Sequence, residues 1–244
     1  MSDILYILGR GSKQDDLELR LSLRSLEKYA QNLDRVFIVG NCPEWAKNVI
    51  HIPEEDKYFP FSNHVKKVLR AIDGGISEKF LLMNDDFFMM RPFDVDTYPY
   101  YIRGEMFNNH QGGDYRQMLN NTVEILHNKG IEKVLAYNCH VPILYTRYMF
   151  SDIKPLWERW KEDRIGFSPR VVYGNLFVKT GEVIKDPKIF DDKMPSEIGK
   201  SGCISSHSNS VNVLKELEKI FNEPSKYERN ENDDQERERS IRAY

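Results

Sequence analysis

The residues best suited to chemistry are Asn84, Asp85 and Asp86, three polar side chains set between two blocks of large apolar ones. Phe80, Leu81, Leu82 and Met83 precede them, and Phe87, Phe88, Met89 and Met90 follow. Two adjacent carboxylates are costly to bury without partners. They are natural at the carboxyl end of a buried strand, where the chain of an open α/β sheet emerges into the ligand crevice. Hard oxygen donors there suit Mg2+ or Mn2+. Mg2+ typically takes one or two carboxylates and completes its shell with substrate phosphates and water. On this reading Asp85 and Asp86 are metal ligands, with Asn84 orienting or ligating. The pattern alone also fits an acidic turn after a core strand.

The flanking pattern describes the elements that must position these residues. The apolar run ending at Met83 lies between Gly74-Gly75 and Pro92, bounds that favour a strand buried on both faces. Residues 4–8 read as a first buried strand, closing at Gly9-Arg10-Gly11-Ser12. Glycines there serve an ordinary turn or let backbone amides approach a phosphate. Asp15 or Asp16 caps a helix running to Tyr29, with Leu17, Leu19, Leu21, Leu23 and Leu26 on its apolar face. Arg20 and Arg24 are four apart and share a side that meets solvent or an anion. Strands follow at 35–40 and 49–53, then a helix from 61 to 71 with Ser62 or Asn63 as its cap. Strands alternating with helices predict an α/β fold with a mostly parallel sheet.

The second half is less regular. Residues 95–109 are rich in Tyr and Phe and read as a hairpin or lid near the site. Helices are expected over 115–128, 148–162 and 206–221, a strand edge over 137–142, a loop at 167–170 and a strand over 171–178. From Asn230 the chain is nearly devoid of apolar residues, so one domain over 1–229 and a disordered tail over 230–244 are expected.

The 244 residues carry 35 basic and 38 acidic side chains, a net charge of −3 that recruits no nucleic acid through a global field. The three cysteines, Cys42, Cys139 and Cys203, have no zinc or disulfide spacing, which fits a reducing cytoplasm. No apolar run approaches the roughly 18 residues of a membrane span.

Several of these segments, in order, resemble the central region of the Stealth family of capsular polysaccharide phosphotransferases. They are residues 18–29, Val36-Phe37-Ile38-Val39, Pro43-Glu44-Trp45, Phe61-Ser62-Asn63 and the run from Phe80 through Asn84-Asp85-Asp86 to Phe87. Asp3 to Tyr6 with Gly11-Ser12 is similar to that family's opening strand and turn, although Arg10 stands where the family has an acid. His140-Val141-Pro142 resembles its His-x-Pro motif. Phe167-Ser168-Pro169-Arg170 resembles its Phe-Arg-Ser segment, and residues 221–228 resemble its closing motif.

The resemblance implies a GT-A-type nucleotide-sugar transferase fold. It implies transfer of a sugar 1-phosphate from a nucleotide-diphosphosugar to an acceptor hydroxyl, with a glycan as the natural acceptor. Plain glycosyl transfer, to a glycan, protein or modified nucleic acid, is the alternative within that fold. A non-catalytic carbohydrate-binding protein is the alternative outside it. On the family reading His140, Arg170 and Asp86 are catalytic. A histidine titrating near neutrality can take the acceptor proton, and a guanidinium fork can hold phosphate. Ser12, Arg20, Arg24 and Asn63 are nucleotide or phosphate candidates, and Asn63 and His64 can also line the acceptor side. His51, His110, His127 and His207 show no metal spacing and read as structural.

Overall fold

A computed structural model describes residues 1–9, 16–107, 112–207 and 210–229. In chain order its main strands are β1 (Ser2–Leu8), β2 (Leu33–Gly40), β3 (Ile50–Ile52), β4 (Lys79–Met83), β5 (Phe87–Met89), β6 (Ile143–Thr146) and β7 (Cys203–Ser205). The helices are α1 (Leu17–Tyr29), α2 (Pro60–Asp73), α3 (Asp114–His127), α4 (Arg147–Ser151), α5 (Lys154–Trp160), α6 (Pro169–Tyr173) and α7 (Val211–Ile220). Five strands form the central sheet in the order β6-β4-β1-β2-β3. The four from β4 to β3 run parallel, and β6 lies antiparallel on the β4 edge.

The alternation of side chains explains why these strands read as unbroken apolar runs. Ile4, Tyr6 and Leu8 of β1 pack on Leu19, Leu23 and Leu26 of α1. Leu5 faces the other way, in a cluster with Val65, Val68 and Ala71 of α2 and with Phe150 and Trp157. Helices cover both faces, so successive residues are buried on opposite sides. Each large apolar side chain so buried contributes about 1.5–3 kcal/mol. At the amino end of the sheet the buried Asp3 carboxylate accepts from Arg35 Nη2 at 2.7 Å and from the Ser77 amide at 2.7 Å. That pairing ties β1 to β2 and to the entry of β4, at the opposite end of the sheet from the Asn84-Asp85-Asp86 turn.

At the carboxyl end, β2 finishes at Gly40 with φ +114°. A Cβ there would lie 2.0 Å from the Leu8 carbonyl oxygen, so only glycine lets β2 pass β1 so closely.

Three expectations are corrected. Residues 171–178 form no strand: α6 passes directly into a π-helical turn, Gly174–Val178. Ser168 caps α6 by accepting from the Val171 amide, and Pro169 fills its first turn. Val171, Val172 and Tyr173 are all buried, and an apolar run hidden on every side does not distinguish helix from strand by period. Residues 95–107 form no hairpin of their own. Tyr101–Ile102 pairs in parallel with Glu182–Val183, and Glu105–Met106 pairs antiparallel with Val134–Leu135. Finally, α2 begins at Pro60 with Phe59 in the cap position, so neither Ser62 nor Asn63 caps it.

Candidate active site

Asn84, Asp85 and Asp86 leave the carboxyl end of β4 in a tight turn, closed by the Phe87 amide donating to the Asn84 carbonyl at 3.2 Å. The chain then enters β5, which pairs antiparallel with β7. Two serines on the buried face of α1 hold this turn in place. Tyr6 Oη donates to Ser22 Oγ at 2.7 Å, and Ser22 Oγ donates to the Phe87 carbonyl at 2.6 Å. Ser25 Oγ accepts from the Met89 amide at 3.1 Å. Polar groups this deep are costly unless paired, and these are paired.

Three acids converge on the turn. Burial, with the charges of Asp86 and Glu18 added, pushes the Asp85 carboxyl up to about 7. Glu18, from the first turn of α1, is also raised, by burial first, although it accepts from Ser206 Oγ at 3.1 Å. Asp86 is counterbalanced. Its Oδ2 pairs with Lys188 Nζ at 2.6 Å and accepts from Ser205 Oγ at 2.7 Å. Lys188 Nζ also donates to the Ser206 carbonyl.

His140 is held by an aspartate that its own sequence neighbourhood does not contain. Its backbone amide donates to Asp186 Oδ1 at 3.1 Å, and Nδ1 lies 2.9 Å from Asp186 Oδ2. Arg103 Nη1 stands 3.5 Å from the same carboxylate. Burial alone would raise Asp186. The hydrogen bonds and charge of His140, with Arg103 behind them, hold it below the usual range instead. A carboxylate on Nδ1 fixes the ring and leaves Nε2 for chemistry. Asp186 and Lys188 flank Pro187, so one short segment grips both the imidazole and Asp86. Neither residue, nor Glu18, was singled out by sequence reasoning. The only sequence signal is Lys185-Asp186-Pro187-Lys188, one acid and two lysines around a proline.

The other expected residues are placed as follows. Arg24 grips the buried carboxylate of Glu228 through Nε at 2.8 Å and Nη2 at 2.7 Å, and donates to the Phe221 carbonyl at 2.9 Å. Arg20 Nη1 reaches the same carboxylate at 3.4 Å, its guanidinium 4.1 Å above the Trp45 ring. The anion that this helix face meets is thus an internal one, from the closing motif. Asn63 is buried. Its Oδ1 accepts from the amides of Lys57 and Tyr58, and its Nδ2 donates to the Tyr58 carbonyl, so the amide side chain clamps a loop. His64 is kept neutral, pushed down to about 3 by burial and by the charges of Arg170 and Lys67.

Arg170 stands in the first turn of α6, not in a loop, and its Nη2 donates to the Val141 carbonyl beside His140. Its Nε is buried with no partner among the described residues. Ser12, Arg10, Asp15, His110 and the tail over 230–244 lie outside the described residues. Asp16 occupies the cap position of α1 in a left-handed conformation and makes no side-chain capping bond.

Beyond the exits of β1 and β2 opens a crevice of about 440 Å3, lined by Leu8, Gly9, Gly40, His51 and Lys67 among others. The buried Lys67 Nζ donates to the Leu8 carbonyl at 2.6 Å and pairs with Asp56 at 2.6 Å. His51 Nε2 lies 2.8 Å from the Gly40 carbonyl oxygen.

Among the described residues no three His, Cys, Asp or Glu side chains form a metal cage. A divalent cation here would rest on Asp85 and Asp86 and take its remaining oxygens from substrate and water. That donor set fits Mg2+ or Mn2+. No helix among the described residues is long and apolar enough to cross a membrane.

Comparison with known proteins agrees with this architecture. No family model matches the chain. An exopolysaccharide phosphotransferase of Streptomyces coelicolor is 34% identical over 94 residues, a match covering 33% of this chain and 10% of that protein. The similarity to Stealth-type phosphotransferases therefore rests on one partial stretch of sequence. A solved structure of an active-site mutant of LgtC superposes with a TM-score of 0.51 at 10% identity, covering 92% of this chain and 98% of that one. A second LgtC structure, the galactosyltransferase with donor and acceptor sugar analogs, gives a TM-score of 0.40 at 12% identity over 72% of this chain and 70% of that one. The fold is that of the GT-A type, a mostly parallel sheet covered by helices.

Proposed function

We propose that this chain is a nucleotide-sugar-dependent transferase that moves a sugar 1-phosphate from a nucleotide-diphosphosugar to an acceptor hydroxyl, most naturally a glycan's. The observation that carries this reading is the segment 185–188. Asp186 contacts His140 and Lys188 pairs with Asp86, so one short stretch joins a histidine to the acidic turn. The partial likeness to an exopolysaccharide phosphotransferase supports the phosphoryl version of the reaction.

Asp85 and Asp86, with Asn84 beside them, would hold Mg2+ or Mn2+, which supplies positive charge against the donor diphosphate. His140 accepts the acceptor's hydroxyl proton on Nε2, while Asp186 holds Nδ1 and stabilises the imidazolium that forms. The acceptor oxygen bonds to the sugar-linked phosphorus. The bond from that phosphorus to the bridging oxygen breaks, and a nucleoside monophosphate leaves. Arg170 keeps the His140-Val141 turn in place through the Val141 carbonyl and is a positioning residue. The crevice beyond β1 and β2 receives the nucleoside, by the rule that open α/β sheets bind ligands outside their carboxyl ends. Ser12, four residues beyond β1 in the sequence, remains a candidate for the phosphates.

The test is to incubate the full chain with a panel of nucleotide sugars, with Mg2+, with Mn2+ and with neither, and to identify the nucleotide released. Monophosphate is the expected product. Diphosphate would mean conventional glycosyl transfer. No binding and no turnover with any nucleotide sugar would leave a non-catalytic carbohydrate-binding protein.

A further inference from the structure

A cavity of about 580 Å3 lies between residues 103–107, the start of α3 and the stretch leading to Asn138. Its floor is apolar, made of Met106, Leu119 and Ala136, all buried. Its walls carry two aromatic rings that stand open to solvent, Phe107 at 59% and Tyr115 at 46% exposure. Exposed aromatic rings over an apolar floor are a surface in need of a ligand face.

One polar group points the same way. Asn138 Nδ2 donates to Tyr115 Oη at 3.2 Å, while Asn138 Oδ1 is buried with no partner among the described residues. Turning the amide over would exchange the two atoms and still leave one of them unpaired. A group that both donates and accepts, a hydroxyl, satisfies it in either orientation.

The cavity is next to the chemistry. Asn138, which lines the cavity, stands two residues before His140 in the chain. Cys139 between them is turned into the core, 2% exposed. Arg103 lines the cavity and also reaches Asp186, the partner of His140.

We propose that this cavity is the acceptor subsite and binds one hydroxyl-rich sugar ring, its apolar face against Tyr115 and Phe107 and a hydroxyl on Asn138. The assignment rests on the transferase reading above, because the ring so held is the one that presents a hydroxyl to His140 Nε2. A sugar suits the cavity because its apolar C–H face matches the aromatic walls and its hydroxyls match Asn138 and the charged side chains of Arg103, Glu105 and Arg116 that also line it.

The experiment is saturation-transfer NMR on the full chain with methyl glycosides of glucose, galactose, mannose, N-acetylglucosamine and glucuronic acid, with and without UDP and Mn2+. At least one glycoside should bind. Its affinity should fall about tenfold in Tyr115→Ala and in Asn138→Ala, the loss expected of one stacking or hydrogen-bonding contact. Tyr115→Phe, which keeps the ring, should retain most of the binding. Thermal shifts produced by UDP with Mn2+ should be the same in all three variants. Absence of binding by every glycoside would overturn the proposal, as would binding unchanged in both alanine variants. Failure of the transferase reading shows separately, as a chain that no nucleotide sugar stabilises or reacts with, whatever the glycosides do.

Discussion

At its amino end α1 contributes Glu18 to a cluster with Asp85 and Asp86; within the next two turns, Arg20 and Arg24 of the same helix enclose Glu228. Both places bury carboxylates against one helix, and the protein treats them oppositely. Glu228 is nearly inaccessible. Burial alone would raise it, yet the hydrogen bond and charge of Arg24 and the groups of Ser225 hold it below the usual range. Asp85 is pushed up to about 7 because burial and two neighbouring acids oppose its charge. In the first place every charge meets its complement within the chain, so the arrangement holds the closing segment to the fold. In the second, acids converge with Lys188 as the nearby cation, directed at Asp86. Strained carboxylates of that kind are a mark of functional sites.

The largest effect that would test this contrast is on activity. Asp85→Asn should lower kcat by about 10^3-fold, the scale on which preorganised charge acts in catalysis. The same change should leave Tm unchanged or higher. The folded carboxyl titrates near 7 instead of 3.8, so its ionisation costs stability as pH rises through that range. A lowered Tm with normal kcat would reverse the roles assigned to the two regions.

Next in size is Glu228→Ala, which leaves Arg24 half-buried without its carboxylate. Breaking a buried pair from one side costs about 3 kcal/mol. Denaturant unfolding should show that loss, with turnover per folded molecule unchanged. A variant as stable as the wild type, or one that is folded but inactive, would mean that the arginine face serves the ligand after all.

Asp186→Asn should reduce kcat about 10^2-fold while donor KM stays near the wild-type value, since an amide orients the imidazole less well and stabilises its charge less. The pH–rate profile should change as well, because the Asp186 carboxylate, held low by His140 and Arg103, is replaced by an uncharged amide. An unmoved profile would make the His140–Asp186 contact a purely structural one.

The smallest effect is in the pH dependence of stability. A carboxyl depressed in the folded state contributes stability that is complete above its unfolded value, 4.5 here, and is lost as pH falls through the folded value. The Tm difference between wild type and Glu228→Gln should therefore be full near neutral pH and shrink below about pH 4.5. A difference constant across that range would show that Glu228 is not depressed.

The sequence by itself determined what depends on neighbours along the chain. The strand from Phe80 to Met83, its exit at Asn84-Asp85-Asp86 and the alternation of strands with helices follow from local period and from the cost of burying carboxylates. Each is set within a few residues, and the sheet keeps them. Only the tertiary structure decided which charges are consumed by the fold. Arg24 finds Glu228 across 204 residues, Lys188 finds Asp86 across 102, and Asp186 finds His140 across 46. The two-residue strands at 101–102 and 105–106 likewise take their partners from distant segments. No local pattern records such pairings. An arginine pair on a helix reads the same whether it awaits a phosphate or already holds a glutamate, and the difference appears only when the chain has closed its loops and desolvated both partners.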